Sequence, residues 1–178
     1  MINGINKFNA KGATTMKQQE NVGIELTNIW TMTCLDSSGN VKWSETKKNL
    51  IVTEGLNHIL DVAFHGDTQA TTWYIGLKGS GTPAAGDTLA SHGSWSEITD
   101  YSGDRKEWTE GAASSGSMTN SSSVDFSITG SATVAGAFLS STTDNTGTLY
   151  GVVDFASSRS VLSGDTLQVT VTVTDASS

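Results

Sequence analysis

The chain has 178 residues with one proline, one cysteine and a net charge of −8, and 49 of its residues are serine or threonine. With 19 glycines and few charged residues, this composition suits short strands and turns and excludes a mainly helical fold. Arg159 is the only cation after Lys106, which argues against phosphate-based nucleic-acid binding, and no apolar run approaches the ~20 residues that cross a bilayer.

Residues 1–20 are polar, with isolated Ile2, Ile5, Phe8 and Met16. That is too little apolar surface to fold alone, so a flexible arm is expected, followed by one domain over residues 21–178. The first eight residues lack the apolar stretch of a signal peptide. A sharper reading has the arm order against a partner, with Ile2, Ile5 and Phe8 as contact anchors.

From residue 24 to 35 apolar positions alternate, with Trp30, Met32 and Cys34 on one side and Ile29, Thr31, Thr33 and Leu35 on the other, which is strand periodicity. Asp36-Ser37-Ser38-Gly39-Asn40 is a turn, and Val41 and Trp43 resume the alternation, so a β-hairpin is expected. Cys34 has no partner for an internal disulfide and reads as a small buried hydrophobe in a reduced, cytosol-made protein.

Residues 53–66 carry the one helical pattern: Leu56, Ile59, Leu60, Ala63 and Phe64 follow the spacing of an amphipathic face. Thr53 is the expected N-cap and Gly66 the stop. The helix should lay its apolar stripe on a sheet, leaving His58, Asp61 and His65 on the opposite, solvated face. Beyond it the chain reads as all β. Strands are expected over residues 73–77, 95–101, 105–110, 124–129, 134–139, 149–155 and 167–174, with a loop over residues 78–87 by its Gly and Pro content. Residues 111–123 read as an extended strand or a wide loop. The fold class is mostly β, a jelly-roll-like or Ig-like antiparallel β-sandwich with one short amphipathic helix. Gly86-Asp87-Thr88-Leu89 and Gly164-Asp165-Thr166-Leu167 match, but four residues do not establish a repeat.

Chemistry is harder to find. His58, Asp61 and His65 could be metal ligands, yet seven helical residues separate the histidines by ~10.5 Å, too far for one zinc ion with bonds near 2 Å. Serines abound without a G-x-S-x-G elbow or a paired cysteine and histidine, and His92 reads as a turn residue. Glu97 and Asp154 are strand-borne carboxylates without a spacing that marks a glycosidase pair. Gly79-Ser80-Gly81 lacks the lysine and helix of a phosphate loop. Trp30, Trp43, Trp73, Trp95 and Trp108 are expected mainly in the core, with a sugar platform as the alternative. Neither an enzyme nor a cofactor nor a metal is expected.

The run Asn49-Leu50-Ile51-Val52-Thr53-Glu54-Gly55-Leu56-Asn57-His58-Ile59-Leu60-Asp61 resembles an element of small structural proteins from tailed bacteriophages. So do Trp73-Tyr74-Ile75-Gly76-Leu77 with Ala85-Gly86-Asp87-Thr88-Leu89, Val124-Asp125-Phe126-Ser127-Ile128 with Gly136-Ala137-Phe138-Leu139, and Ser163-Gly164-Asp165-Thr166-Leu167. The resemblance implies a virion component, a decoration or cement protein on the outside of an icosahedral capsid. Its implied partners are the major capsid protein and itself, as a homotrimer or a dimer, and it carries over no catalytic residue. The alternative is a tail or head-fibre module that binds host-surface glycans, for which a cluster of solvent-exposed tryptophans is expected.

Overall fold

A computed structural model describes residues 24–177. The expected arm, with Ile2, Ile5 and Phe8, lies outside the described residues. Eleven strands are present among those described: β1 (Ile24–Leu35), β2 (Val41–Lys48), β3 (Leu50–Ile51), β4 (Tyr74–Gly81), β5 (Trp95–Ile98) and β6 (Lys106–Glu107). Then follow β7 (Ser117–Thr119), β8 (Val124–Ser127), β9 (Ala132–Ser140), β10 (Leu149–Val161) and β11 (Thr166–Ser177). One helix, α1 (Thr53–Leu60), interrupts them after β3.

The first hairpin forms as its alternation requires. Asp36 Oδ1 accepts the backbone N–H groups of Ser38 and Asn40, each at 2.9 Å, and Gly39 takes a left-handed φ of 83° that favours glycine. Trp30, Met32 and Cys34 are buried, and the opposite side stays wet. β11 then pairs antiparallel with the whole of β1, from Ile24 opposite Ser177 to Leu35 opposite Thr166. β7 and β8 share the other edge of β11. This first sheet runs β2-β1-β11 with β7 and β8; the second runs β3-β10-β9-β4 with β5 and β6 on the edge of β4. All pairings are antiparallel. The mostly β, two-sheet sandwich with one short helix is the fold.

The main core lies between the sheets, where Trp30, Met32, Phe126 and Leu167 of the first meet Ile75, Leu77, Ala137 and Leu139 of the second. A second apolar cluster, Val52, Leu89, Trp95, Phe138, Leu149 and Val152, sits on the other face of the second sheet. Phe138 belongs to it while its neighbours Ala137 and Leu139 belong to the main core, as strand alternation dictates. Gly76 makes room for it: a Cβ there would lie 2.2 Å from the Phe138 ring.

Two local expectations are corrected. Residues 78–81 are not loop but the end of β4, and Lys78 is fully buried. Its Nζ donates to the Gly79 carbonyl at 3.1 Å and pairs with Asp154 at 2.6 Å, which satisfies an ammonium that would otherwise be costly to bury. The strand expected over 105–110 shrinks to Lys106–Glu107, because Arg105 turns inward to hold Glu97 and Trp108 enters the core. The repeated tetrapeptide also has structural content. Asp87 and Asp165 each donate their backbone N–H to the carbonyl three residues back, at Ala84 and Leu162. Each also accepts that same residue's N–H on its carboxylate, at 2.8 Å. The same turn delivers Leu89 to one cluster and Leu167 to the other.

Candidate functional site

The helix departs most from its sequence reading. Thr53 is the first helical residue, not the N-cap; Val52 holds that place without a side-chain cap. Glu54 reaches away from the helix, its Oε2 accepting the N–H groups of Leu89 at 2.9 Å and Leu149 at 2.6 Å. Gly55 seats the helix against β10 so closely that a Cβ would lie 2.2 Å from the Tyr150 carbonyl oxygen. After Leu60 the chain widens into one π-helical turn, Asp61–His65, which Gly66 ends at a φ of 78°. Such turns are frequent at functional sites.

Seated through Gly55, the helix faces inward with Ile59 packed on the main core and His58 edge-on to Trp73, ring centroids 5.6 Å apart. The apolar stripe expected on the sheet is therefore turned outward: Leu56, Leu60 and Phe64 are 44%, 55% and 85% exposed, and Ala63 is exposed too. Of that stripe only Ile59 joins the core. The solvated face expected for His58, Asp61 and His65 is corrected likewise, since His58 and Asp61 are half-buried and His65 alone is exposed. Periodicity reports that a helix has an apolar side; which side meets the sheet was decided by where the backbone could come closest.

Leu56, Leu60 and Phe64 are spaced by four, so they make one ridge. Against the inward side of the helix, at Ile59, the gap between the sheets opens as an apolar hollow of 270 Å³ whose wall includes Leu26, Ile59, Trp73, Trp108, Met118 and Val173. A second hollow of 230 Å³ shares Leu26, Met118 and Val173 with it and reaches Gly116 and Asp175. Past His58 lies a polar depression lined by Asp67, Gln69, Thr71, Tyr74 and Thr148. The helix thus carries an exposed apolar ridge on its outer side and, through Ile59 and His58, borders an apolar hollow and a polar depression on its inner side.

The other candidates are engaged elsewhere. Glu97 is gripped by Arg105 through Nε–Oε1 at 2.8 Å and Nη2–Oε2 at 2.7 Å, and Asp154 is held by Lys78. His92 stacks on Trp95 at 4.0 Å. Burial pushes the Cys34 thiol up to about 11. Among the described residues no three His, Cys, Asp or Glu side chains gather as a metal site, and no helix is long and apolar enough to cross a membrane. Trp30, Trp95 and Trp108 are buried, and Trp43 and Trp73 are half-buried against the main core. The exposed tryptophan cluster expected of a glycan-binding module is thus not formed by these five. The ridge and hollow were not legible as a site: a helical apolar stripe reads as core until the packing is known.

Residues 51–177, which run from the end of β3 to the end of β11, match the family model described as Podophage GP4 fiber I protein gp80. A search of curated proteins finds no match.

Proposed function

The chain belongs to the family of the podophage GP4 fiber I protein gp80, and on that premise we propose that it is a non-catalytic fibre subunit that joins its neighbours through the ridge Leu56, Leu60 and Phe64. It is a phage virion structural protein; the finer reading is supported by that ridge. Contiguous exposed apolar residues with a protruding aromatic are what protein–protein contacts use as anchors. A rigid two-sheet scaffold holds them, so little order is lost on docking. The neighbours are copies of itself, in a homotrimer or a dimer, and through them another virion protein.

Replacing both Leu60 and Phe64 with Asp tests this. The purified variant should melt like wild type, since exposed positions shift stability by roughly 0.5 kcal/mol or less, while its incorporation into particles is lost. Wild-type incorporation would remove the ridge from the function. Copy number per virion separates the fibre from the shell decoration that the sequence resemblance implied. A handful of copies means a fibre; hundreds on the head mean decoration, with the major capsid protein as partner.

A further inference from the structure

Residues 82–94, between β4 and β5, cover the second apolar cluster without belonging to either sheet. We propose that they form a latch on the ridge helix: the loop opens as one unit while the sandwich stays folded. Its release frees the first turn of α1, which the loop caps at Thr53 and clips at Glu54. The latch is a property of the free protein; only its consequence for docking rests on the fibre reading.

The loop is closed at its base and thinly attached above it. Gly81 stands opposite Trp95, and at its φ of 103° a Cβ would lie 1.9 Å from the Ser94 carbonyl oxygen. The two ends are thereby pinned together, which makes the segment an Ω-loop. Many of its bonds are its own: Asp87 bonds back to Ala84 through both backbone and carboxylate, and Thr88 and Ser91 bond to each other. Only Asp87 and Leu89 in the loop are buried. Leu89 enters the second cluster, and no residue of the loop joins the main core. A segment with few buried apolar side chains and no strand ladder opens at less cost than the whole fold.

The bonds that leave the loop converge on the helix. Trp95, at the base, donates its Nε1–H to Asp87 Oδ2 at 2.9 Å. Beyond that base, the loop's hydrogen bonds to the other described residues all go to the start of α1. The Ala85 carbonyl accepts the Thr53 N–H at 2.8 Å, and the Leu89 N–H donates to Glu54 Oε2 at 2.9 Å.

The first N–H groups of any helix lack partners within it, and the N-cap Val52 offers no side-chain bond. The loop supplies from outside what the helix start lacks. When it lifts, the bonds at Thr53 and between Leu89 and Glu54 are lost together, and Val52 loses Leu89 from its cluster. The Leu56 N–H, which donates to the Val52 carbonyl at 3.1 Å, then belongs to an uncapped turn. Leu56 opens the ridge, so a partner that grips the ordered ridge favours the closed loop, and a closed loop favours docking by the same factor.

Amide exchange on the full chain through a series of sub-denaturing urea concentrations tests this. In the wild type the Asp87, Leu89 and Ser91 amides should exchange at least tenfold faster than those of Trp30 and Met32. Their urea dependence should be weaker, because less surface is exposed, and Leu56 should follow it. Leu89→Ala should speed Leu56 exchange at least tenfold. In a chain with Thr53→Pro and Glu54→Ala, which removes both links and keeps a residue suited to the first helical position, Leu89→Ala should change Leu56 less than twofold. Loop amides that share the rate and urea dependence of Trp30 and Met32 overturn the proposal, since loop and sandwich then open as one. A Leu56 amide that ignores Leu89→Ala overturns it as well, as does one that responds equally after both links are cut. These readouts do not involve particle incorporation, so failure of the latch and failure of the fibre reading are told apart.

Discussion

The outer faces of the two sheets solve one problem in opposite ways. On the first sheet, outward threonines and serines bond to one another across strands: Thr31 to Thr46 at 3.0 Å, Thr33 to Ser44 at 2.9 Å and Thr172 to Thr119 at 3.1 Å. On the second, the outward face carries Phe138, Val152 and Leu149 and is roofed by Leu89, Trp95 and Val52. One face stays wet because its hydroxyls satisfy each other and water; the other is dry because the segment between β4 and β5 and the start of α1 cover it. The strand sequences differ accordingly. β11 alternates aliphatic and hydroxyl residues, while residues 134–139 of β9 and 149–153 of β10 read as nearly continuous apolar runs, the pattern of a sheet buried on both sides.

This contrast can be broken most sharply at Phe138. Phe138→Ala empties the second cluster, and its cost should reach about 3–5 kcal/mol, read as a lower urea midpoint with little change in slope. A loss below about 1 kcal/mol would mean that the roofed face is no true core. An intermediate effect is expected at Asp165, which ties the β10–β11 turn to Lys42 on the first sheet. Burial raises its carboxyl, but the Lys42 ammonium and the Leu162 N–H outweigh that and bring it below the ordinary carboxylate value. A carboxyl depressed in the folded state contributes stability above its unfolded pKa of about 3.9 and loses it as pH falls through the folded value. Melting temperature against pH should therefore drop less steeply below about pH 4 in Asp165→Asn than in wild type. Parallel acid limbs would show that the ion pair adds nothing. The smallest effect belongs to the hydroxyl face, where Thr31→Val or Thr172→Val should change stability by no more than about 0.5 kcal/mol. A larger loss in chemical denaturation would show that the hydroxyl ladders hold the sheet.

Much of the architecture is legible from period-two alternation. The hairpin of β1 and β2, the inward set Trp30, Met32 and Cys34, and the aliphatic face of β11 all stand where the pattern puts them. The misreadings cluster on the second sheet and the helix laid against it. Lys78 in a Gly-rich stretch reads as loop because a buried lysine needs Asp154, 76 residues away, to be tolerable. The same holds for Arg105, whose forked pairing with Glu97 and cation–π contact with Phe138 at 4.8 Å draw it out of the strand expected there. The recurring Gly-Asp-Thr-Leu was visible but mute, since its content is the bond that each aspartate makes back across its own turn.

Local chemistry alone thus determined the fold class, the turn glycines at Gly39 and Gly66, and which strand residues face the core, because these depend on neighbours within a few positions. Tertiary structure decided which side of α1 is covered. That outcome rests on Gly55 meeting the backbone of β10 at Tyr150, a contact across 95 residues of chain, and it is why Leu56, Leu60 and Phe64 face outward. A helix records in its own sequence that it is two-sided, but only the surface it lands on chooses the side.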